Sequence, residues 1–272
     1  MNKEDYLINK ISSSYVGDDG AIVGNKVYSM DAFFENIHFK REWMSLSQIA
    51  RKAMLVNISD AIAMNAVPLY ALVTLSLPKE IALSEIDELV ESLHKVASEY
   101  GCEIIGGDTI AGERLDFSIT IISETKYPLT RKGLQEGDYL AYTGILGESK
   151  RDLNRLFRGE KIDSNSKFIE PILRKEFIAK SREYLRTGMD ISDGLFCDTN
   201  KMLKMNKIGF ELLTEISDEV GSSGEEYEML VSFAPENYED VVRVAKETNT
   251  DLTVFAKVVC NSRYFKCVGH HF

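Results

Sequence analysis

The chain has 272 residues, 44% hydrophobic and 28% charged, the make-up of a folded globular protein, which excludes wholesale disorder. Lysine and arginine number 32 against 43 aspartates and glutamates, a formal charge of -11 at pH 7. So acidic a surface speaks against non-specific binding to nucleic acid or to an anionic membrane. It admits an anionic small molecule only where a cation stands between that molecule and the protein.

No run approaches the roughly 18 consecutive apolar residues of a membrane span. Met1 to Lys10 is charged and has no apolar core, so no secretory signal is expected there. Cys102, Cys197, Cys260 and Cys267 form no CxxC pair, and free thiols in a reducing cytoplasm are expected.

In chain order, residues 21–31 predict two short strands around a turn at Gly24-Asn25. Leu46 to Ala66 has a helical pattern that is almost wholly apolar after Lys52, and Leu72 to Leu77 alternates as a strand up to Pro78. Ser84 is placed to cap an amphipathic helix carrying Ile86, Leu89, Val90, Leu93, Val96, Ala97 and Tyr100, with Gly101 past its end. CEIIGG follows as a buried strand, and Leu115 to Ser123 as an alternating one.

The turn-rich stretch Tyr127 to Gly137 divides the chain into domains at 1–133 and 134–272. Beyond it, DYLAYTG predicts a strand, about Phe168 to Leu185 a helix, a short strand runs into Asp190, and a helix follows Gly194. Strands are also predicted at 210–213, 229–233 and 252–259. Both halves mix helix and strand, and the fold class is α+β.

The informative residues are aspartates at the ends of apolar elements. Asp18 and Asp19 precede the first strand, Asp31 ends the second, Asp108 closes IIGGD, and Asp190 and Asp193 bracket DISDG. Taken singly, each has a structural reading: turn formers at 18 and 19, a cap or loop residue at 108, an N-cap at 193. Asp60 is harder to explain that way. It lies inside the apolar helix, with no arginine or lysine within one turn, and a buried carboxylate must protonate or find a cation. Carboxylates without histidine or cysteine partners suit a hard cation such as magnesium, which usually bridges protein carboxylates to substrate phosphates. The chain has neither GxxxxGK[ST] nor GxGxxG, so a nucleotide would be held by metals and scattered donors.

The ordered stretches VGDDGAIV, YSMDAFFENIHF, ARKAMLVNISDAIAMNAVP, GCEIIGGDT, LTRKGLQEGDYLAYTGILGES, MDISDGLFCD and GEEYEML resemble the thiamine-monophosphate kinases, over roughly residues 15 to 233. That family belongs to a superfamily with aminoimidazole ribonucleotide synthetase. The resemblance implies an N-terminal α+β domain that dimerises through its sheet and a C-terminal α/β sandwich domain. It also implies ATP-dependent phosphorylation of thiamine monophosphate to thiamine diphosphate by direct transfer, with several Mg2+ ions and no protein base or nucleophile.

Carried over by position, Asp18, Asp31, Asp60, Asp108, Asp190 and Asp193 are implied as metal ligands, with Ser29 and the carbonyl of Met30 beside Asp31. Gly107, Asp108, Arg131 and Ser192 would meet ATP, and His38 and Glu225 would meet thiamine phosphate. Without that context, His38 reads as a packed or surface residue and Glu225 as a solvated loop acid. Gly20, Asn65 and Glu226 stand where the family pattern has alanine, glycine and aspartate. The closing GHHF only loosely echoes the family's aromatic ending, and no ring-stacking aromatic is assigned. The alternatives are another ATP-using member of the superfamily, or a catalytically silent nucleotide- or metal-binding module.

Overall fold

The computed structural model describes residues 3–260 and 263–267. The elements in order are α1 (Lys3–Ile11), β1 (Ala21–Val23), β2 (Lys26–Phe34), α2 (Leu46–Ala63), β3 (Val67–Pro78), α3 (Leu83–Glu99), β4 (Glu103–Gly112) and β5 (Asp116–Glu124). After residue 137 come β6 (Tyr139–Thr143), α4 (Glu148–Phe157), α5 (Lys175–Ser181), β7 (Thr187–Asp190) and α6 (Leu195–Asn206). The last are β8 (Gly209–Leu212), α7 (Asp218–Gly221), β9 (Met229–Phe233), α8 (Tyr238–Glu247) and β10 (Leu252–Val259). None of the described helices is long and apolar enough to cross a membrane.

The strands form two five-stranded sheets, ordered β1-β2-β5-β3-β4 and β7-β9-β6-β10-β8, which gives the α+β architecture expected. In the first, α3 carries the chain from β3 to its parallel neighbour β4, and the other pairs are antiparallel. Alternation puts Phe33, Ala71, Val73, Leu75, Phe117, Ile119 and Ile121 on one face, in a single core with the apolar residues of α2 and α3. In the second, Leu140, Met189 and Leu230 pack on one side with Leu195, Met202 and Leu203 of α6. Ala141, Val231 and Phe233 pack on the other with α5 and α8, so this sheet is covered on both faces.

Several expectations change. The CEIIGG strand is not buried: β4 is the edge of its sheet and is largely exposed, with Ile105 at 50% and Ile110 at 52%. The cap of α3 is Ala82 rather than Ser84, because the Glu85 side chain accepts the Ala82 N–H at 2.8 Å. The helix expected over 168–185 shrinks to α5. The segment before it runs back instead to plug Phe168 and Ile169 into the N-terminal core, with Pro171 just beyond. Helices α1, α4, α7 and α8 have no counterpart in the sequence expectations.

Two departures from the family pattern have local reasons. Asn65 sits at φ 53°, a left-handed conformation asparagine tolerates better than most, and its Nδ2 bonds the Tyr127 carbonyl at 2.9 Å. A Cβ at Gly20 would lie 2.8 Å from Val27 Cγ1 and 3.2 Å from Met64 Sδ, so glycine fits this neighbourhood.

Candidate active site

Three carboxylates converge where the two halves of the chain meet. Asp19 comes from the turn before β1, Asp60 from the last turn of α2 and Asp190 from the end of β7, and one oxygen of each lies within 4.8 Å of the others. The Ser59 hydroxyl donates to Asp190 Oδ2 at 2.6 Å, tying α2 to β7. Burial, then the charges of Asp31, Asp190 and Asp19, push the Asp60 carboxyl well above its ordinary range. Asp190 is also pushed well up, by burial and then Asp19, against the Ser59 hydrogen bond. Carboxylates crowded this way are unfavourable in a dry site without a cation.

The donor set fits a hard divalent ion. Asp19 Oδ2 and Ser29 Oγ are buried oxygens that accept no hydrogen bond, so lone pairs remain for a metal. Among the described residues no histidine or cysteine joins the cluster.

Asp19, not Asp18, is the member of the GDDG pair in this cluster. Asp18 instead accepts the Arg131 N–H through Oδ1 at 2.7 Å, which fixes the strand-end loop against the first turn. The Arg131 guanidinium then pairs with Asp19 Oδ1, while its Nε is buried without an acceptor. The carry-over by position names Asp18; the structure turns its neighbour Asp19 into the cluster instead.

The Asp31 N–H is held by Asn57 Oδ1 at 2.8 Å, and its charge raises Asp60, placing it at the rim of the cluster. Met30 is 64% exposed on the open face of the sheet. Asp108 lies on exposed β4, with Oδ1 accepting the Thr109 N–H at 2.8 Å, apart from the three clustered acids. Gly107 has φ 151°, and a Cβ there would fall 1.8 Å from the Val73 carbonyl oxygen, so only glycine allows this approach of β4 to β3.

Asp193 is not among the clustered acids. Lys201 Nζ lies 2.6 Å from its Oδ2 and 2.9 Å from Asp198 Oδ1, an ammonium already standing where a cation was expected. Burial pushes the Asp198 carboxyl up to about 6, against the pull of Lys201.

The acceptor candidates are held rigidly. His38 stacks on Phe33 with centroids 5.6 Å apart, and its Nδ1 accepts the Phe34 N–H at 2.9 Å, which puts the neutral ring's proton on Nε2. Glu225 sits at φ 55°. Its N–H donates to the Ser192 carbonyl at 2.8 Å, and its own carbonyl accepts from Ser149 Oγ at 2.9 Å. Its side chain accepts from Lys52 Nζ at 2.6 Å. The expectations missed Lys52, although the signal was the one that singled out Asp60: a charge inside an apolar helix. The closing GHHF lies outside the described residues.

Residues 17–125 match the family model described as AIR synthase related protein, N-terminal domain. The chain is 32% identical to the thiamine-monophosphate kinase of Rhodopirellula baltica, covering 93% of this chain and 86% of that protein. It is 28% identical to that of Aquifex aeolicus, covering 82% and 77%. The solved structure of AaThiL complexed with AMPPCP and TMP has the same fold, with a TM-score of 0.87 at 24% identity over 99% of this chain and 96% of that one. A chain of a HypE-HypF complex is a more distant likeness, at TM-score 0.79 and 17% identity over 95% of this chain and 93% of that one. With an identity of 32% across nearly the full length of both proteins, this chain belongs to the thiamine-monophosphate kinase family.

Proposed function

We propose that the chain transfers the terminal phosphoryl group of ATP to the phosphate of thiamine monophosphate, giving thiamine diphosphate and ADP. The observation that carries this reading is the convergence of Asp19, Asp60 and Asp190, in a chain of this family, with Asp19 Oδ2 buried and without a partner. Those three, with Asp31 and Ser29 beside them, would hold magnesium, which supplies neutralisation of the transferring phosphate charge.

The protein's own part is positioning. Arg131 is clamped by Asp18 and Asp19, which fixes its guanidinium beside the cluster, where its partly exposed side chain would meet a phosphate oxygen. Ser192 and Glu225 are joined by a backbone hydrogen bond, linking the expected nucleotide side to the acceptor side. Glu225 offers a carboxylate to a thiazolium cation, and His38 offers an Nε2–H. The attacking phosphate oxygen is already ionised at neutral pH, so no residue need remove a proton. Gly107 and Asp108 on the open β4 edge would meet the nucleotide and a metal ion, the two domains would divide at 133/134, and the chain would act in the cytoplasm.

An assay of the purified chain with ATP, magnesium and thiamine monophosphate, separated by chromatography, tests the reading. Diphosphate is expected from the monophosphate and not from free thiamine, and none without the metal. Product from free thiamine alone, or undiminished product in EDTA, would refute it.

A homodimer through the first sheet belongs to the same proposal. The face of that sheet away from α2 and α3 exposes Tyr28, Met30, Tyr70, Leu72, Ile105 and Ile110, more apolar side chains than a monomer usually leaves to water. Leu72→Arg is expected to convert a dimer into a monomer in sedimentation velocity while leaving the circular dichroism unchanged. A wild-type chain that sediments as a monomer at tens of micromolar would refute the dimer.

A further inference from the structure

Lysine is seldom fully buried, because its ammonium loses hydration that one ion pair does not fully replace. Lys52 has no exposed surface at all. Its Nζ lies 2.6 Å from Glu225 Oε2, 3.7 Å from the centroid of the Phe168 ring and 5.7 Å from that of Phe33. The opposing carboxylate is only partly enclosed, its side chain 25% exposed, and Oε1 accepts no hydrogen bond among the described residues. One oxygen is therefore fixed from below while the other is left to the solvent side.

Phe33 is also the ring on which His38 stacks, so one ammonium touches the supports of both acceptor candidates. Lys52 and Asp60 share α2, eight residues apart, or about 12 Å along the helix axis. One rigid element thus sets the spacing between the metal cluster and Glu225. Burial lowers the Lys52 pKa, and the Glu225 charge opposes that shift.

We propose that Lys52 is a positioning residue for the acceptor: it orients the Glu225 carboxylate so that Oε1 faces the cationic part of thiamine monophosphate, at a distance from the metal cluster fixed by α2. This rests on the reading of Glu225 as an acceptor contact. A purely packing lysine would predict something else, that a neutral side chain of similar length improves stability and leaves the kinetics alone.

The test is a double-mutant cycle on the full-length chain with Lys52→Met, Glu225→Gln and the pair together. KM for thiamine monophosphate is measured at saturating ATP, and KM for ATP at saturating thiamine monophosphate. Lys52→Met is expected to raise the acceptor KM about 10- to 100-fold and to leave the ATP KM within about twofold. The double mutant is expected to be no worse than Glu225→Gln alone, because Lys52 acts through that carboxylate.

Two results would overturn the proposal: an acceptor KM unchanged by Lys52→Met, or single-mutant effects that multiply in the double mutant. If instead Glu225→Gln leaves the acceptor KM unchanged while Lys52→Met raises it, the assignment of Glu225 fails, a result distinct from either of those. Should Lys52→Met not fold, Lys52→Gln, whose amide still donates to Glu225 Oε2, carries the same comparison. Its acceptor KM is then expected between those of wild type and Glu225→Gln, and a value equal to wild type with a weakened ATP KM overturns the proposal.

Discussion

Asp60→Asn is expected to lower turnover by at least about a thousandfold while the metal-free protein becomes more stable, not less. The two effects share a cause. Asp60 is surrounded by the charges of Asp31, Asp190 and Asp19, and burial deprives all of them of water. An amide has nearly the same shape and needs neither a buried charge nor a proton taken up on folding, so each kcal/mol of that cost removed should raise the metal-free melting temperature by about 2–4 °C. The same amide is a poor ligand for a hard cation. Magnesium should therefore raise the melting temperature of the wild-type chain and leave that of the variant nearly unchanged. Thermal unfolding in EDTA and in millimolar magnesium checks both halves. A variant that magnesium stabilises as much as it does wild type would remove Asp60 from the metal site, whatever its activity.

That experiment also marks how far the sequence could be read. Asp60 was recognisable because a charge in an apolar helix is costly wherever the helix packs, a property of the local pattern. Asp190 was recognisable as a strand end; Asp31 and Asp108 read as strand ends too, but β2 runs on to Phe34 and β4 to Gly112, so both lie inside strands. The choice between Asp18 and Asp19 was not legible, because it depends on Arg131, 112 residues away from Asp19 in the chain, and on which carboxylate turns inward to meet it. Lys201 was hidden for the same kind of reason. Its pairing with Asp193 needs helix α6 to bring a residue eight positions on back over the strand end. The exposure of β4 also lay beyond local pattern. An apolar CEIIGG reads as buried, and whether it is an edge or a centre is decided by strand order. The segment before α5 failed differently. Its apolar residues suit a helix, but Phe168 and Ile169 gain more by joining the N-terminal core than by completing a turn.

Lys167→Met carries the largest expected cost in stability. The ammonium of Lys167 lies 2.9 Å from Glu228 Oε1 and 3.2 Å from Glu226 Oε2 and donates to the Ile145 carbonyl at 2.7 Å, and both glutamates are fully buried. Glu228 keeps a second cation, Arg174, whose Nε and one terminal nitrogen each lie 2.7 Å from a carboxylate oxygen. Glu226 has only Lys167 among the described residues, and its Oε2 accepts no hydrogen bond. Removing the lysine leaves that carboxylate buried and uncompensated, a loss of about 3–5 kcal/mol. Glu226 Oε1 also accepts the Gly147 N–H at 2.8 Å and the Ser149 N–H at 3.2 Å, and Ser149 in turn holds the Glu225 carbonyl. The loop beside the acceptor site should loosen together with the fold. Neutralising both partners, in Lys167→Met with Glu226→Gln, is expected to recover more than half of the lost stability in urea unfolding, since no charge is then stranded. A double mutant less stable than Lys167→Met would show that the amide cannot hold the loop and that the network works through its geometry. Acid offers an independent check. Burial works to raise the Glu228 pKa, but the hydrogen bonds and charges of Arg174 and Lys167 outweigh it, leaving the value below 4.5. Its contribution is therefore present above pH 4.5 and is lost as pH falls through the folded value, so the wild-type chain should lose stability in that window faster than a Glu228→Gln variant does.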